Sequence, residues 1–242
     1  MKRAIIFGAT GGIGRAIAEN LAEHGWSLYL HYNHNQQEAG KMVQEFIENY
    51  PDQEFFSLKL NFLAEDDVIK KIISNLLPIS AVIFTQGITS YQFLGSQKLD
   101  EIEKIIQINL LAPIKITSLL ESQLLKQAHG RIIFIGSVYG GQASALESVY
   151  SASKGGLSSF VQGYAREVAS ANLTVNVIAP GAVDTPMNAI FDTETLNEVK
   201  NEIPAGRLAD PKDISFWVEN LLDERSDYLT GQTIYVDGGW LV

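Results

Sequence analysis

Seven short apolar runs alternate with longer segments of helical period along almost the whole chain, and this alternation limits the fold more than any other feature. Residues 4–7, 26–32, 55–58, 81–84, 131–135, 174–178 and 233–236 are rich in β-branched and aromatic side chains and read as strands. Between them, segments beginning near Gly12, Gln36, Ala64, Leu99, Ser148 and Pro211 carry apolar residues at spacings of three and four, the period of a helix with one buried face. Such alternation predicts an α/β fold, because parallel strands have to be joined by crossovers. The central runs are hydrophobic throughout, as strands covered on both sides are. The expectation is a Rossmann-like, doubly wound parallel sheet of about seven strands with helices on both faces.

No linker, low-complexity tract or repeat interrupts the 242 residues, so residues 1–242 are read as a single domain. Residues 180–204 are the least regular stretch, with a short helix expected around residues 194–201, and form a candidate lid. A chain with 46% apolar and 19% charged residues is globular and not disordered. Cysteine is absent, which excludes disulfides, thiolate metal sites and cysteine nucleophiles; no metal is expected. The balance of 18 basic against 28 acidic residues gives −10, which argues against a nucleic-acid or membrane partner, since both need a basic patch. The apolar run after Lys2 and Arg3 stops at Gly8, too short for a secretory signal, and no run reaches the roughly 18 residues of a membrane span. The expected location is cytoplasmic.

The first strand runs into Gly8-Ala9-Thr10-Gly11-Gly12-Ile13-Gly14-Arg15 and then into a helix ending near Gly25. Glycines at 8, 12 and 14 allow a tight turn and bring bare backbone N–H groups and a helix N-terminus to a pyrophosphate. A G-x-x-x-G-x-G cluster can be a plain turn, but its placement between strand and helix in a β-α-β unit points to a dinucleotide. The end of the second strand, Leu30-His31-Tyr32-Asn33-His34-Asn35, carries no carboxylate to hold a free ribose 2′-OH or to repel a 2′-phosphate. NADP(H) is therefore favoured, with NAD(H) the alternative, and Tyr32 and Asn33 are expected beside the adenosine. Arg15 is the nearest firm cation for a phosphate; His31 and His34 either assist or are bystanders on the surface.

Downstream, Ser137 follows the fifth strand, Tyr150 lies 13 residues on, and Lys154 four further. One helical turn puts Tyr150 and Lys154 on the same face, so an ammonium can draw the phenol, which titrates near pH 10, toward neutral pH as a general acid/base. Ser137 sits at a strand's carboxyl end, where open α/β sheets bind ligands, and its hydroxyl can polarise a carbonyl oxygen.

With this Ser, Tyr and Lys set added to the glycine loop, the whole chain resembles the short-chain dehydrogenase/reductase family. That resemblance gives Asn109, in Ile108-Asn109-Leu110, the role of the fourth catalytic residue, whose backbone carbonyl holds a water in a proton relay to Lys154; on its own it reads equally as a structural polar residue in a helix. It also places Pro180, Gly181, Val183 and Thr185 against the nicotinamide. Residues 229–239, Leu-Thr-Gly-Gln through Val-Asp-Gly-Gly, and residues 203–208 look most like the 3-oxoacyl-acyl-carrier-protein reductase branch. The implied chemistry is hydride delivery to a ketone, with Ser137 on the carbonyl oxygen, Tyr150 as proton donor and Lys154 on the ribose hydroxyls. Relatives of this kind are usually homotetramers. They pair the helices carrying the Asn109 and Tyr150 equivalents, so Leu157, Phe160 and Val161 serve either the core or such an interface.

The sequence departs from the family in several places. The fourth strand ends Phe84-Thr85-Gln86-Gly87 in place of Asn-Asn-Ala-Gly; Gly87 keeps the close approach, and Thr85 and Gln86 can still hydrogen-bond. Asn61, followed by Phe62, stands where an aspartate commonly meets adenine, and Phe7 replaces a threonine before the first glycine. Ala128 and Ala171 occupy places where carrier-protein reductases dock an acidic partner through arginines. Glu147, just before the helix of Tyr150, is either a carboxylate favoured by the helix dipole or a counter-charge for a cationic substrate. The substrate expectation is a 3-oxoacyl thioester, free or carrier-linked. The alternatives are another ketone, such as an aminopentanone on a lysine of elongation factor P or a small molecule, and a non-catalytic dinucleotide sensor.

Overall fold

The computed structural model describes residues 2–186 and 191–240. Seven strands, β1 (Arg3–Phe7), β2 (Ser27–Tyr32), β3 (Phe55–Lys59), β4 (Ala81–Phe84), β5 (Gly130–Ile135), β6 (Leu173–Pro180) and β7 (Thr233–Val236), form one sheet in the order β3-β2-β1-β4-β5-β6-β7. Every pairing is parallel. The strands match the apolar runs to within a residue or two. Residues such as Ile5, Ile6, Val82, Ile83, Ile132 and Ile133 are buried because both faces of the sheet are covered.

Helices α1 (Gly12–Glu23), α2 (Gln36–Asn49) and α8 (Pro211–Leu222) bury Ile17, Leu21, Met42, Phe46, Ile214 and Val218 on one face. On the other, α3 (Asp66–Ser74), α5 (Ala112–Leu124) and α6 (Ser148–Val168) bury Ile69, Ile116, Leu120, Leu157 and Val161. Leu157 and Val161 thus belong to the core, while Phe160 is half-buried and stacks on Tyr164 with ring centroids 5.4 Å apart. Three adjacent strands contribute Phe7, Phe84 and Phe134, which sit in register. Their rings stack with centroids 4.9 and 4.8 Å apart and planes within 10° and 6°.

One element carries a feature absent from the sequence expectation. The helix that starts as α4 (Leu99–Ile106) does not stop; it passes through a single π turn, Gln107–Leu111, into α5. Pro113 explains part of this: it has no N–H to return to the Asn109 carbonyl four residues back, so that carbonyl has no α-helical partner. The short helix of the irregular segment is α7 (Thr193–Glu202), capped by Asp192, whose carboxylate accepts from the Thr195 N–H at 2.8 Å. Residues 187–190 of the candidate lid lie outside the described residues.

Candidate active site

The order of the sheet reverses between β1 and β4, and the loops leaving their carboxyl ends diverge to open a crevice. Gly8 turns there with φ +82°, a conformation that favours glycine. Its carbonyl accepts from the Gly11 N–H at 3.0 Å and from Thr85 Oγ1 at 3.1 Å; the same hydroxyl donates to the Phe7 carbonyl at 2.8 Å. Thr85 thus supplies a hydroxyl beneath the loop although position 7 has none. A Cβ on Gly14 would stand 2.2 Å from the Gly8 oxygen, and one on Gly12 would stand 2.8 Å from the Thr185 methyl. Helix α1 begins at Gly12 with Gly11 as N-cap, no side-chain cap and no acidic residue in its first turn. Its free N–H groups and positive dipole end are what a pyrophosphate requires.

The surroundings of the adenosine end correct two expectations. Arg15 is not free for a phosphate: it pairs with Glu19 at 2.7 Å, with Glu45 at 3.3 Å and with Glu38, a cage drawn from α1 and α2. These carboxylates push the guanidinium pKa further up. Phe62 cannot offer its ring to a ligand, because the ring packs on Phe7 and His31. Tyr32 is buried at the end of β2, and Asn33 is engaged with His34 at 2.9 Å. Asn61 Oδ1 accepts from the Leu63 N–H at 2.9 Å, an Asx turn that holds the β3 exit. Gln86 leaves its buried Oε1 without a partner, so the strand end retains an acceptor for a ligand.

Ser137, Tyr150 and Lys154 converge on a cavity of about 270 Å³ that Ile13, Thr85, Gly87, Pro180, Gly181, Val183 and Thr185 also line. Ser137 stands after β5 in extended conformation, its Oγ accepting from the Tyr139 N–H at 3.1 Å. Lys154 is fully enclosed and donates to the Ile135 carbonyl at 2.8 Å, with Nζ 5.7 Å from the centroid of the Tyr150 ring. Burial away from any carboxylate pulls its pKa down to about 8. Tyr150 goes the other way, pushed up to about 12 by burial, with the Glu147 charge adding to the rise; its hydrogen bond with Ser137 opposes this without prevailing. The expected drift of the phenol toward neutrality is therefore not what the geometry gives, because the ammonium is aimed at a carbonyl. A phenol held protonated suits proton donation, and it is still far more acidic than water at about 15.7.

Asn109 is fully buried in the π turn. Its Oδ1 accepts from the Ile88 N–H at 2.9 Å, and its Nδ2 donates to the Ile88 carbonyl at 2.8 Å and to Ser153 Oγ at 3.1 Å. The side chain thus ties the β4 exit loop to α6, while the backbone carbonyl stays free of its α-helical partner. Gly87 lies beside it: a Cβ there would stand 3.4 Å from Lys154 Nζ, an ordinary contact. Glu147 also lines the cavity, accepting from Thr89 Oγ1 at 2.6 Å, and it makes no cap bond to α6.

A family model described as short chain dehydrogenase matches residues 2–195. The chain belongs to that family. It is 35% identical over 239 residues to an uncharacterized oxidoreductase, YmfI, of Bacillus subtilis, covering 99% of this chain and 98% of that protein. It is 33% identical over 241 residues to the 3-oxoacyl-[acyl-carrier-protein] reductase FabG of Aquifex aeolicus, covering 98% and 96%. The crystal structure of a 3-oxoacyl-[acyl-carrier protein] reductase from Brucella melitensis superposes with a TM-score of 0.92 at 24% identity, over 100% of this chain and 91% of that one. The short-chain dehydrogenase fold and family are thus established, and with them an oxidoreductase of carbonyl and hydroxyl groups that uses NAD(P)H. The glycine cradle and the orphaned Gln86 oxygen fit that cofactor. Among the described residues no helix is long and apolar enough to cross a membrane.

Two groups at the site have little local signature in the sequence. His31 is enclosed under the glycine loop and not on the surface: every residue of β2 is buried, and the run Leu28-Tyr29-Leu30 before it is the local hint. The aromatic residues Tyr91, Tyr139, Phe191 and Trp240, which line the cavity opposite the glycine loop, come from four separate segments, and no local pattern joins them.

Proposed function

We propose that this chain is an NADPH-dependent ketone reductase. The observation that carries the reading is the convergence of Ser137, Tyr150 and Lys154 on one cavity walled by the glycine-loop side of the sheet. When bound, the reduced nicotinamide supplies the hydride. The Ser137 hydroxyl donates to the carbonyl oxygen, and the Tyr150 hydroxyl gives its proton to that oxygen as charge develops there. Lys154 holds the ribose hydroxyls and, with the Asn109 carbonyl and a water, resupplies Tyr150. The preference for NADPH is supported by the absence of a carboxylate in residues 32–35, and Glu38 is engaged by Arg15.

The substrate reading supported by the names of relatives is a 3-oxoacyl thioester. A second reading, a ketone bearing an ammonium group such as an aminopentanone on a lysine of elongation factor P, is favoured by a specific observation. The cavity holds the Glu147 carboxylate among the rings of Tyr91, Tyr139, Phe191 and Trp240, and Lys154 is its one cationic lining residue among those described. A carboxylate with aromatic walls attracts an ammonium and repels an anionic arm. Ala128 and Ala171, in place of carrier-docking arginines, weigh the same way.

The test is NADPH oxidation with an acetoacetyl thioester and an amino-ketone, using wild type and Glu147→Gln. An amino-ketone substrate predicts about a tenfold loss of kcat/KM for that ketone alone in the variant. Equal effects on both substrates remove the cation contact. No turnover of any ketone beside intact NADPH binding refutes the reductase and leaves a sensor. We also propose a cytoplasmic homotetramer. Exposed Leu111 in the π turn and Leu119 on α5, and Phe216, Trp217 and Tyr235 on α8 and β7, support two such contact faces, and sedimentation-equilibrium mass is the check.

A further inference from the structure

We infer that His31 is a positioning residue for dinucleotide binding, setting the first turn of the glycine loop through both of its ring nitrogens. The inference rests on reading that loop as the dinucleotide cradle.

His31 sits on β2 opposite Leu58 of β3 and is 4% exposed. The Gly8 N–H donates to its Nδ1 at 2.9 Å, and its Nε2 lies 2.9 Å from the Leu60 carbonyl oxygen. An amide donor at one nitrogen and a carbonyl at the other leave one arrangement that satisfies both: the neutral imidazole with its proton on Nε2. The residue's own backbone carbonyl accepts from the Ala9 N–H at 3.1 Å. A single residue of β2 therefore holds two successive amides of the loop, one by side chain and one by main chain. It links them to the β3 exit just before Asn61. The ring is held in plane by Phe62, stacked at 4.9 Å and 13°, and is flanked by Phe7 at 5.3 Å.

This matters for the ligand because Gly8 is where the loop's geometry is decided. With φ +82° it directs its carbonyl toward the start of α1, where that oxygen takes the Gly11 N–H and leaves no room for a side chain on Gly14. The Gly8 N–H bond to the ring fixes the Phe7–Gly8 peptide and the Ala9 N–H bond to the His31 carbonyl fixes the next, which carries the Gly8 oxygen; together they set the turn that leads to the N–H groups of α1 facing a phosphate. His31 does not line the active-site cavity, so it acts through the loop and not on reacting atoms.

Two substitutions separate the ring nitrogens. In His31→Asn the amide oxygen takes the place of Nδ1 and still accepts from Gly8, while the Leu60 contact is lost. In His31→Gln the amide nitrogen takes the place of Nε2 and still reaches Leu60, while Gly8 loses its acceptor. Titration calorimetry with NADPH and NADH is expected to give His31→Asn a Kd within about threefold of wild type. For His31→Gln it is expected to rise about tenfold or more, the cost of a buried amide left without a partner. With ketone present, KM for the cofactor rises in the Gln variant while kcat at saturation holds. Equal losses in the two variants, or wild-type binding by His31→Gln, overturn the proposal. The 15N spectrum of the unliganded wild type decides the matter if either variant fails to fold. A protonated Nε2 with a hydrogen-bonded, unprotonated Nδ1 and a slowly exchanging Gly8 amide are required, and the opposite tautomer overturns it. If the wild type binds neither nucleotide, the reading of the loop has failed, and the same spectrum still tests the His31 contacts.

Discussion

Replacing Lys154 by methionine is expected to make the unliganded protein more stable while abolishing turnover. Lys154 is enclosed, has no carboxylate partner and titrates at about 8 instead of 10.5. At 1.36 kcal/mol per pH unit, keeping it charged at neutral pH costs about 3 kcal/mol relative to the unfolded chain. Its hydrogen bond to the Ile135 carbonyl returns about 1 kcal/mol, so methionine, of similar length, is expected to gain about 2 kcal/mol. For a chain of this size that raises Tm by about 4–8 °C. The pH dependence has a definite sign. Because the folded pKa is depressed, the unfolded chain binds more protons between about pH 8 and 10.5, so wild-type stability rises with pH through that window. The methionine variant lacks this rise, and its advantage shrinks from pH 7 to pH 10.5. Urea unfolding of both proteins across this range, without cofactor and at one protein concentration, is the assay. A variant less stable than wild type at pH 7, or an advantage that does not change with pH, would refute the reasoning.

Five further outcomes concern the site and its scaffold. Tyr150→Phe should bind NADPH as wild type does and lose at least about 100-fold in kcat, and in wild type kcat/KM for the cofactor should fall as pH rises through about 8, where Lys154 loses its proton; steady-state kinetics check both. Gly14→Ala puts a methyl 2.2 Å from the Gly8 oxygen and should abolish detectable cofactor binding by calorimetry, whereas Gly40→Ala, in α2 with open space around it, should raise stability by up to about 1 kcal/mol. Asn109→Ala gives up three hydrogen bonds at about 1 kcal/mol each and should lower Tm by about 6–12 °C in a thermal melt.

The parts of this molecule that depend on local period were readable in advance. Strand positions follow from apolar runs bounded by turn residues, and the spacing of Tyr150 and Lys154 places both on one face of α6. What escaped depends on direction in space. Arg15 looked free because its partners Glu38 and Glu45 come from α2, more than twenty residues away. Tyr150 was expected to be acidified by its neighbour, but Lys154 reaches past it to Ile135, and burial prevails. His31 seemed a surface residue because strand alternation carries no information when both faces are buried. The π turn was signalled only by Pro113, whose missing N–H has no consequence until a helix continues through it.

The column of Phe7, Phe84 and Phe134 crosses the point where strand order reverses, the natural seam between the two halves of such a sheet. Rings stacked in register on three strands resist sliding and opening together, so the halves move as one plate. On the proposed reading, the glycine loop that cradles the pyrophosphate leaves β1, and the serine that meets the ketone follows β5. Their separation is thus set across strands tied by stacked rings, and an error of about 1 Å there would cost about 100-fold in rate. Entrance residues such as Tyr91, Phe191 and Trp240 stand on loops outside that plate. Substrate preference can therefore drift through those loops while the spacing between the glycine loop and Ser137 stays constant.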